Sequence, residues 1–234
     1  MRALLLSAGL GTRLRPVTDT IPKCLVPING KPLIEYWLRM LAEAKVSPIL
    51  VNTHYFSEKV ESCLDQSQFR NHVQTVFEKH LLGTGGTILK NLDFFEDEPF
   101  MVIHGDNFSR FDVSSFIAAH SQRPAACEIT MMLFKTDIPE TCGIVELDER
   151  GIVQKFHEKV KNPPGNLANG AVYIFEPTVL SFLKGLGKEV IDISTEVLPN
   201  YLGRIYTFLN NVYHRDIGNL ASYNQAQQDA TKIW

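Results

Sequence analysis

The sequence predicts an α/β domain: a mixed, mostly parallel sheet with helices on both faces. Three observations carry that expectation. Apolar runs of strand length recur at Met1–Ser7, Pro48–Thr53 and Phe100–Ile103. Stretches with helical spacing lie between them, the alternation that a sheet covered on both faces requires. From Gly143 the pattern changes to paired short strands around a turn, which predicts a smaller β subregion spanning roughly 143–210.

Taken in order, Met1–Ser7 (MRALLLS) reads as a buried first strand that runs into the glycine turn Ala8–Gly11. Pro32–Ala44 reads as a helix, with Leu33, Ile34, Trp37, Leu38 and Leu41 on one stripe and Pro32 in its first turn. Pro48–Thr53 is the second strand, Ser57 is placed to cap a helix running to Leu64, and Val73–Phe77 is a third strand. After Gly83-Thr84-Gly85-Gly86-Thr87, the run Phe100–Asn107 is a strand ending in an acidic turn. Val113–Ala119 is helical and Glu128–Phe134 extended. Gly143–Leu147 and Ile152–Phe156 form a hairpin about Asp148–Gly151, and Pro163-Pro164-Gly165 breaks the chain before the strand Gly170–Phe175. Helices at 177–183 and 193–202, a strand at Ile205–Leu209 and a helix at 220–232 complete the reading. The expected architecture is a Rossmann-like sandwich forming a single domain over 1–234. Within it, 1–142 is mainly nucleotide-binding and 143–234 mainly sugar-binding and closing elements.

Composition narrows the function. Hydrophobic residues make up 44% and charged residues 21%, enough for an ordinary core. The formal charge of −3 offers no general attraction to nucleic acid or anionic membranes. Four scattered cysteines, Cys24, Cys63, Cys127 and Cys142, have neither zinc nor disulfide-scaffold spacing and read as reduced thiols. No run approaches the ~18 apolar residues of a membrane helix, and the segment after Met1 lacks the form of a signal peptide. A cytoplasmic location is therefore expected. No repeat or low-complexity segment is visible. A homo-oligomer is left open.

The chemistry concentrates in Ala8-Gly9-Leu10-Gly11-Thr12-Arg13-Leu14-Arg15 and, ten residues past Arg13, in Lys23. Glycines let a backbone approach phosphate closely; Arg clamps two phosphate oxygens, and Lys supplies a point charge. Two familiar phosphate motifs fail. Leu14 stands where a dinucleotide fingerprint wants its third glycine, with Glu35 in a helical stretch and no acidic residue after a second strand. A Walker motif would need Lys after Gly11, not Thr12. A structural glycine turn is the plainer alternative.

The segments Ala8–Leu14, Pro22-Lys23, Leu25-Val26-Pro27 and Gly30-Lys31-Pro32-Leu33-Ile34 resemble the opening of the sugar-phosphate nucleotidyltransferases, and the likeness runs from Met1 to about Tyr223. Such enzymes join a nucleoside triphosphate to a sugar 1-phosphate, giving a nucleotide-sugar and pyrophosphate with Mg²⁺. No protein nucleophile is needed, because the substrate supplies its own anionic oxygen; positioning and cationic stabilisation carry the reaction. The resemblance implies catalytic roles for Arg13, Lys23 and Asp106. It places nucleotide contacts at Ala8, Gly9, Leu10, Gly11, Thr12 and Arg13, and again at Gly83, Thr84, Gly85 and Gly86. Asp106 lies at a strand's carboxyl end, where a metal ligand belongs, and Asp216 in His214-Arg215-Asp216-Ile217-Gly218 resembles the second. Alone, either aspartate reads equally as a cap or turn residue. Substrate contacts are implied for Asn107, Gly143, Glu158, Lys159, Asn169, Gly170 and Asp216. Val160 replaces the proline of the family's Glu-Lys-Pro motif, as in relatives acting on heptose phosphates. The overall likeness favours guanylyltransferases for mannose- or heptose-1-phosphate, feeding polysaccharide assembly. UTP- or dTTP-dependent relatives, a catalytically silent nucleotide-sugar-binding homologue and a nucleotide-sugar glycosyltransferase remain alternatives. His104 and His157 adjoin motif residues. His54, His72, His80 and His120 read as surface or satisfied polar positions.

Overall fold

The computed structural model describes residues 1–234. In chain order the strands are β1 (Arg2–Leu6), β2 (Pro27–Ile28), β3 (Lys31–Pro32), β4 (Ile49–Thr53), β5 (Val73–Phe77), β6 (Phe100–His104), β7 (Asn107–Arg110), β8 (Ile129–Lys135), β9 (Gly143–Leu147), β10 (Val153–Glu158), β11 (Leu167–Phe175), β12 (Ile205–Leu209) and β13 (Tyr213–Asp216). The helices are α1 (Leu33–Glu43), α2 (Ser57–Gln66), α3 (Gly83–Lys90), α4 (Val113–Ser121), α5 (Thr178–Gly185) and α6 (Leu220–Ile233). No helix is long and apolar enough to cross a membrane. The α/β class is as the sequence predicts. The chain divides into two compact units, the first built from 1–81, 103–113 and 212–234, the second from 82–102 and 114–211.

In the first unit, β1, β4 and β5 are parallel neighbours, with Leu6 level with Asn52 and Asn52 level with Val76. β1 is nearly continuous in apolar side chains and buried, as a central parallel strand should be. Beyond its end, the Ser7 N–H donates to Asn52 Oδ1 at 2.7 Å, and Asn52 Nδ2 donates to Glu78 Oε1 at 3.1 Å. A side-chain chain thus continues the ladder where backbone pairing stops. α1 buries Leu33, Ile34, Tyr36, Trp37, Leu38, Met40 and Leu41, and Lys45 in the left-handed region follows its end. Trp37 Nε1 donates to the Asn107 carbonyl at 2.9 Å, which ties α1 to the start of β7. α6 opens with a capping box between Asn219 and Ser222. Its Ala226 and Ala230 pack in a cluster with Leu14, Val26, Ile28, Leu33, Tyr36, Phe108 and Ile217. Complete burial of each large apolar side chain there contributes roughly 1.5–3 kcal/mol. Ser57 proves to be the first helical residue of α2 rather than its cap; Phe56, in left-handed backbone, holds the cap position without a side-chain bond.

In the second unit, β8 lies between β11, antiparallel, and β12, parallel, while β9 pairs with both β10 and β11. The expected hairpin is β9–β10. In its turn Asp148 Oδ1 accepts the N–H groups of Arg150 and Ile152, each at 2.9 Å, and Gly151 takes positive φ. β11 bulges between Asn169 and Tyr173, where its register with β8 shifts. The helix expected at 193–202 is found over 193–201, but as a π-helix at Ile193–Val197 followed by a 3-10 helix at Leu198–Tyr201 and not as a regular α-helix. Pro199 has no N–H with which to continue an α-helical ladder.

Candidate active site

The residues singled out by sequence fall into two groups, one in each unit. In the first unit, β1 delivers Ala8, which is buried, and the chain emerges at Gly9 and Leu10. Gly11 has φ +62°, and a Cβ there would lie 3.0 Å from Thr18 Cγ2 and 3.1 Å from Lys23 Cβ. Thr18 Oγ1 donates to the Gly11 carbonyl at 2.8 Å. This glycine is therefore required by backbone angle and by the close passage of the Lys23 segment. The short turn Thr12–Leu14 buries Leu14 and leaves Thr12 and the Arg13 side chain in solvent. Arg15 turns away to pair with Asp19 at 3.2 Å.

Antiparallel pairing of β13 with β7 sets Asp216 opposite Asn107 and so brings Asp216 beside Asp106. Lys23 sits on the turn Lys23–Leu25 with 6% of its side chain exposed. Its Nζ donates to Asp106 Oδ2 at 2.9 Å and to Asp216 Oδ1 at 3.2 Å. Arg13 Nη2 lies 3.6 Å from Asp216 Oδ2. Gly218 makes that approach feasible, since a Cβ there would be 2.8 Å from Arg13 Nη1 and 2.9 Å from Asp216 Oδ2. Arg13, Asp216, Lys23 and Asp106 thus alternate in charge along one chain of ion pairs. Burial works against ionisation of Asp106, but the Lys23 ammonium and then His104 outweigh it, holding its carboxyl below the ordinary range. Burial drives His214 down to about 4 despite both aspartates, so its imidazole is neutral. Cys24, beside Lys23, is pushed up to about 12, chiefly by burial, and is an inert thiol.

No three His, Cys, Asp or Glu side chains cluster as a closed metal cage. Asp106 and Asp216, 41% and 48% exposed, offer hard oxygen donors with room for water around them. That set fits Mg²⁺, which retains waters and shares its shell with substrate phosphates.

In the second unit, Gly83–Gly86 form the first turn of α3. The resemblance implies nucleotide contacts at these residues, and the structure supplies a packing reason for the glycines among them. A Cβ on Gly83 would lie 2.5 Å from the Ile191 carbonyl oxygen, and one on Gly86 only 2.2 Å from that of Glu189. The N–H groups of Gly85 and Gly86 both donate to the Ile191 carbonyl, at 2.8 and 3.3 Å. Thr84 Oγ1 accepts the Ile193 N–H at 2.8 Å. Packing against 189–193 therefore requires glycine here.

Gly143 and Glu158 face each other across the β9–β10 hairpin, and a Cβ at 143 would lie 2.8 Å from Glu158 Oε2. Lys159, at φ +50°, is largely exposed and pairs with Glu158 at 3.2 Å. Asn169 Oδ1 accepts the Ala171 N–H at 2.9 Å, and its Nδ2 donates to Tyr173 Oη at 2.7 Å. Ala171 takes φ +53°, and Gly170 packs against Met132. Tyr173, fully buried, has its hydroxyl pushed above the usual phenol range by that burial. Tyr173, read from the sequence only as part of an apolar strand, is core and fixes Asn169 through its hydroxyl, which the strand pattern alone does not show.

The model of the nucleotidyl transferase family matches residues 2–233. This chain belongs to that family. It is 31% identical to a mannose-1-phosphate guanylyltransferase of Mycobacterium tuberculosis, over 98% of its own length and 64% of the relative's. It is 30% identical to a UTP–glucose-1-phosphate uridylyltransferase of Synechocystis, over 97% of its own length and 62% of the relative's. The chain thus spans somewhat under two thirds of these relatives. Among solved structures, HddC from Yersinia pseudotuberculosis complexed with GMP-PN superposes with a TM-score of 0.82 at 25% identity, covering 98% of this chain and 99% of that one. A UDP-glucose pyrophosphorylase superposes at 0.80, with 25% identity and 99% and 98% coverage.

Proposed function

We propose that this nucleotidyl transferase joins a nucleoside triphosphate to a sugar 1-phosphate, releasing a nucleoside-diphosphate sugar and pyrophosphate. The observation that carries the reading is the Arg13–Asp216–Lys23–Asp106 chain at the glycine turn: two cations for phosphate and two carboxylates for metal. A phosphate oxygen of the sugar 1-phosphate attacks the α-phosphorus in line; the bond to the β-phosphate oxygen breaks, and pyrophosphate leaves. Backbone N–H groups of Ala8–Thr12 hold the triphosphate, while Arg13 and Lys23 offset the charge that builds on the phosphoryl oxygens and the leaving group. Mg²⁺, held by Asp106 and Asp216, supplies further charge neutralisation when bound. Gly83, Thr84, Gly85 and Gly86 serve the nucleotide's base and ribose. Asn107, Gly143, Glu158, Lys159, Asn169, Gly170 and Asp216 serve the sugar phosphate, Lys159 through the phosphate and Glu158 through hydroxyls. By chain order, 1–142 chiefly serves the nucleotide and 143–234 the sugar.

GTP with mannose- or heptose-1-phosphate is the pair we favour, supported by the guanylyltransferase relative, the GMP-PN complex of HddC and Val160 after Glu158-Lys159. The uridylyltransferase at nearly equal identity makes UTP the second reading. Four free cysteines suit a reducing cytoplasm. The test is Mg²⁺-dependent pyrophosphate release across a grid of GTP, UTP, dTTP, ATP and CTP with a panel of sugar 1-phosphates. A strong GTP combination that Asp106→Asn lowers on the order of a hundredfold is expected. Folded wild-type protein that binds finished nucleotide-sugars yet releases no pyrophosphate anywhere on the grid would overturn the enzymatic reading.

A further inference from the structure

Lys23 is the unusual member of the ion-pair chain. It is a nearly buried lysine whose one ammonium bridges two carboxylates, at 2.9 and 3.2 Å. Lysine is rarely buried unless paired, and here the pairing takes up both of the acids assigned to metal. The two aspartates are fixed side by side by the β7–β13 register, so their mutual repulsion is built into the backbone and some cation must offset it. Gly218 leaves room for Arg13 to reach the outer oxygen of Asp216, which closes the chain at two positive and two negative charges. A divalent cation approaching these carboxylates must therefore compete with Lys23. A triphosphate approaching Lys23 and Arg13 must compete with the carboxylates.

We infer that Lys23 is the site's own exchangeable counter-ion, holding Asp106 and Asp216 until a divalent cation takes the carboxylates and the triphosphate takes the ammonium. This rests on the metal and triphosphate reading above. Both ligands release partners for each other, so each strengthens the other's binding by the same factor. Alone, each must break ion pairs without replacing them. The site thereby favours the metal–triphosphate complex over either component, and free divalent cation does not saturate it.

The test measures Mn²⁺ binding without nucleotide, from the electron paramagnetic resonance signal of the free ion. The proteins are wild type, Lys23→Met, Asp106→Asn and the double variant. Lys23→Met should bind Mn²⁺ at least tenfold more tightly than wild type, and adding Asp106→Asn should abolish that gain. With Mn²⁺ present to occupy the carboxylates, Lys23→Met should bind inorganic tripolyphosphate at least tenfold more weakly than wild type. Should Lys23→Met fail to fold by circular dichroism, Lys23→Gln takes its place. If the lysine variant binds Mn²⁺ no more tightly than wild type while Asp106→Asn weakens binding in both backgrounds, the metal site stands and the counter-ion role falls. If Asp106→Asn changes Mn²⁺ binding in neither background, the metal assignment itself falls and the inference with it. Unchanged tripolyphosphate affinity in the lysine variant would overturn the transfer of the ammonium to phosphate.

Discussion

Replacing Gly86 by alanine reverses the usual sign of a glycine substitution inside a helix. In an open helix the change gains about 1 kcal/mol, because alanine loses less backbone freedom on folding. At position 86 the new methyl carbon would sit 2.2 Å from the Glu189 carbonyl oxygen and 3.0 Å from Leu82 Cβ. The contacted atom is backbone, so relief requires moving the 189–191 segment by about 1 Å, and overpacking of this kind costs about 1–3 kcal/mol. That segment is anchored to α3, since the Ile191 carbonyl accepts from Gly85 and Gly86, and the Ile191 N–H donates to the Leu82 carbonyl at 3.0 Å. Each of these bonds is worth about 1 kcal/mol if lost. Setting the propensity gain against them leaves a net loss of about 2 kcal/mol. For a chain of this size that is a fall in melting temperature of roughly 4–8 °C. Gly185→Ala is the control: it lies in the last turn of α5 with nothing within 4 Å of the new atom, and should be neutral or slightly stabilising. Melting followed by circular dichroism on both variants decides the matter. If Gly86→Ala melts at or above wild type, the packing explanation of these glycines is wrong.

Two other outcomes can be checked with ordinary assays. Lys159→Ala removes a largely exposed ammonium paired only with its neighbour Glu158, so stability should move by less than about 0.5 kcal/mol. KM for the sugar 1-phosphate should rise about ten- to a hundredfold, the worth of one charged hydrogen bond, with KM for the triphosphate unchanged within about twofold; equal rises in both would refute a sugar-side role. His120, held neutral at about 4 by burial and then by Arg123, bonds to Thr130 and Glu176. The unfolded chain takes up this proton near pH 6.5 and the folded one only near 4. Stability should therefore fall as pH drops through that window, His120 contributing on the order of 3 kcal/mol beside the similarly lowered His214. Urea midpoints at pH 7 and 4.5 would show this, and an undiminished slope in His120→Gln would show that another group is responsible.

What could be read from the chain was set by how local the cause is. Val73–Phe77 and Ile205–Leu209 are found with the limits expected, because four of the five residues in each are β-branched or aromatic and favour extended backbone. α1 follows from one apolar stripe behind a proline. The capping role expected of Ser57 fails because the turn before α2 is made by left-handed backbone at Phe56, which no side-chain rule anticipates. The helix expected at 193–202 departs from regular α form next to Pro199, which cannot donate an N–H to the ladder. The reason for Gly85 and Gly86 lies more than a hundred residues away, at 189–191, and no local pattern reveals it. Spacing alone is equally silent on the meeting of Lys23 with Asp106 and Asp216, 83 and 193 residues further along. Resemblance suggested those residues; the β7–β13 register is what brings them together.

The first unit is stitched from three stretches of chain, and its last stretch, 212–234, carries both Asp216 and the helix that seals Leu14 and Tyr36. On the ribosome, residues 1–81 emerge long before the strand that completes their charge balance. A nascent chain that ends before Asp216 holds Lys23 with at most one of its two carboxylates, and leaves the apolar face intended for α6 open to water. Loop closure on that scale slows folding more than it costs stability. The ion-pair chain is therefore among the last contacts to form during synthesis, and a chain interrupted before Asp216 carries the glycine turn without the carboxylate that pairs with Arg13.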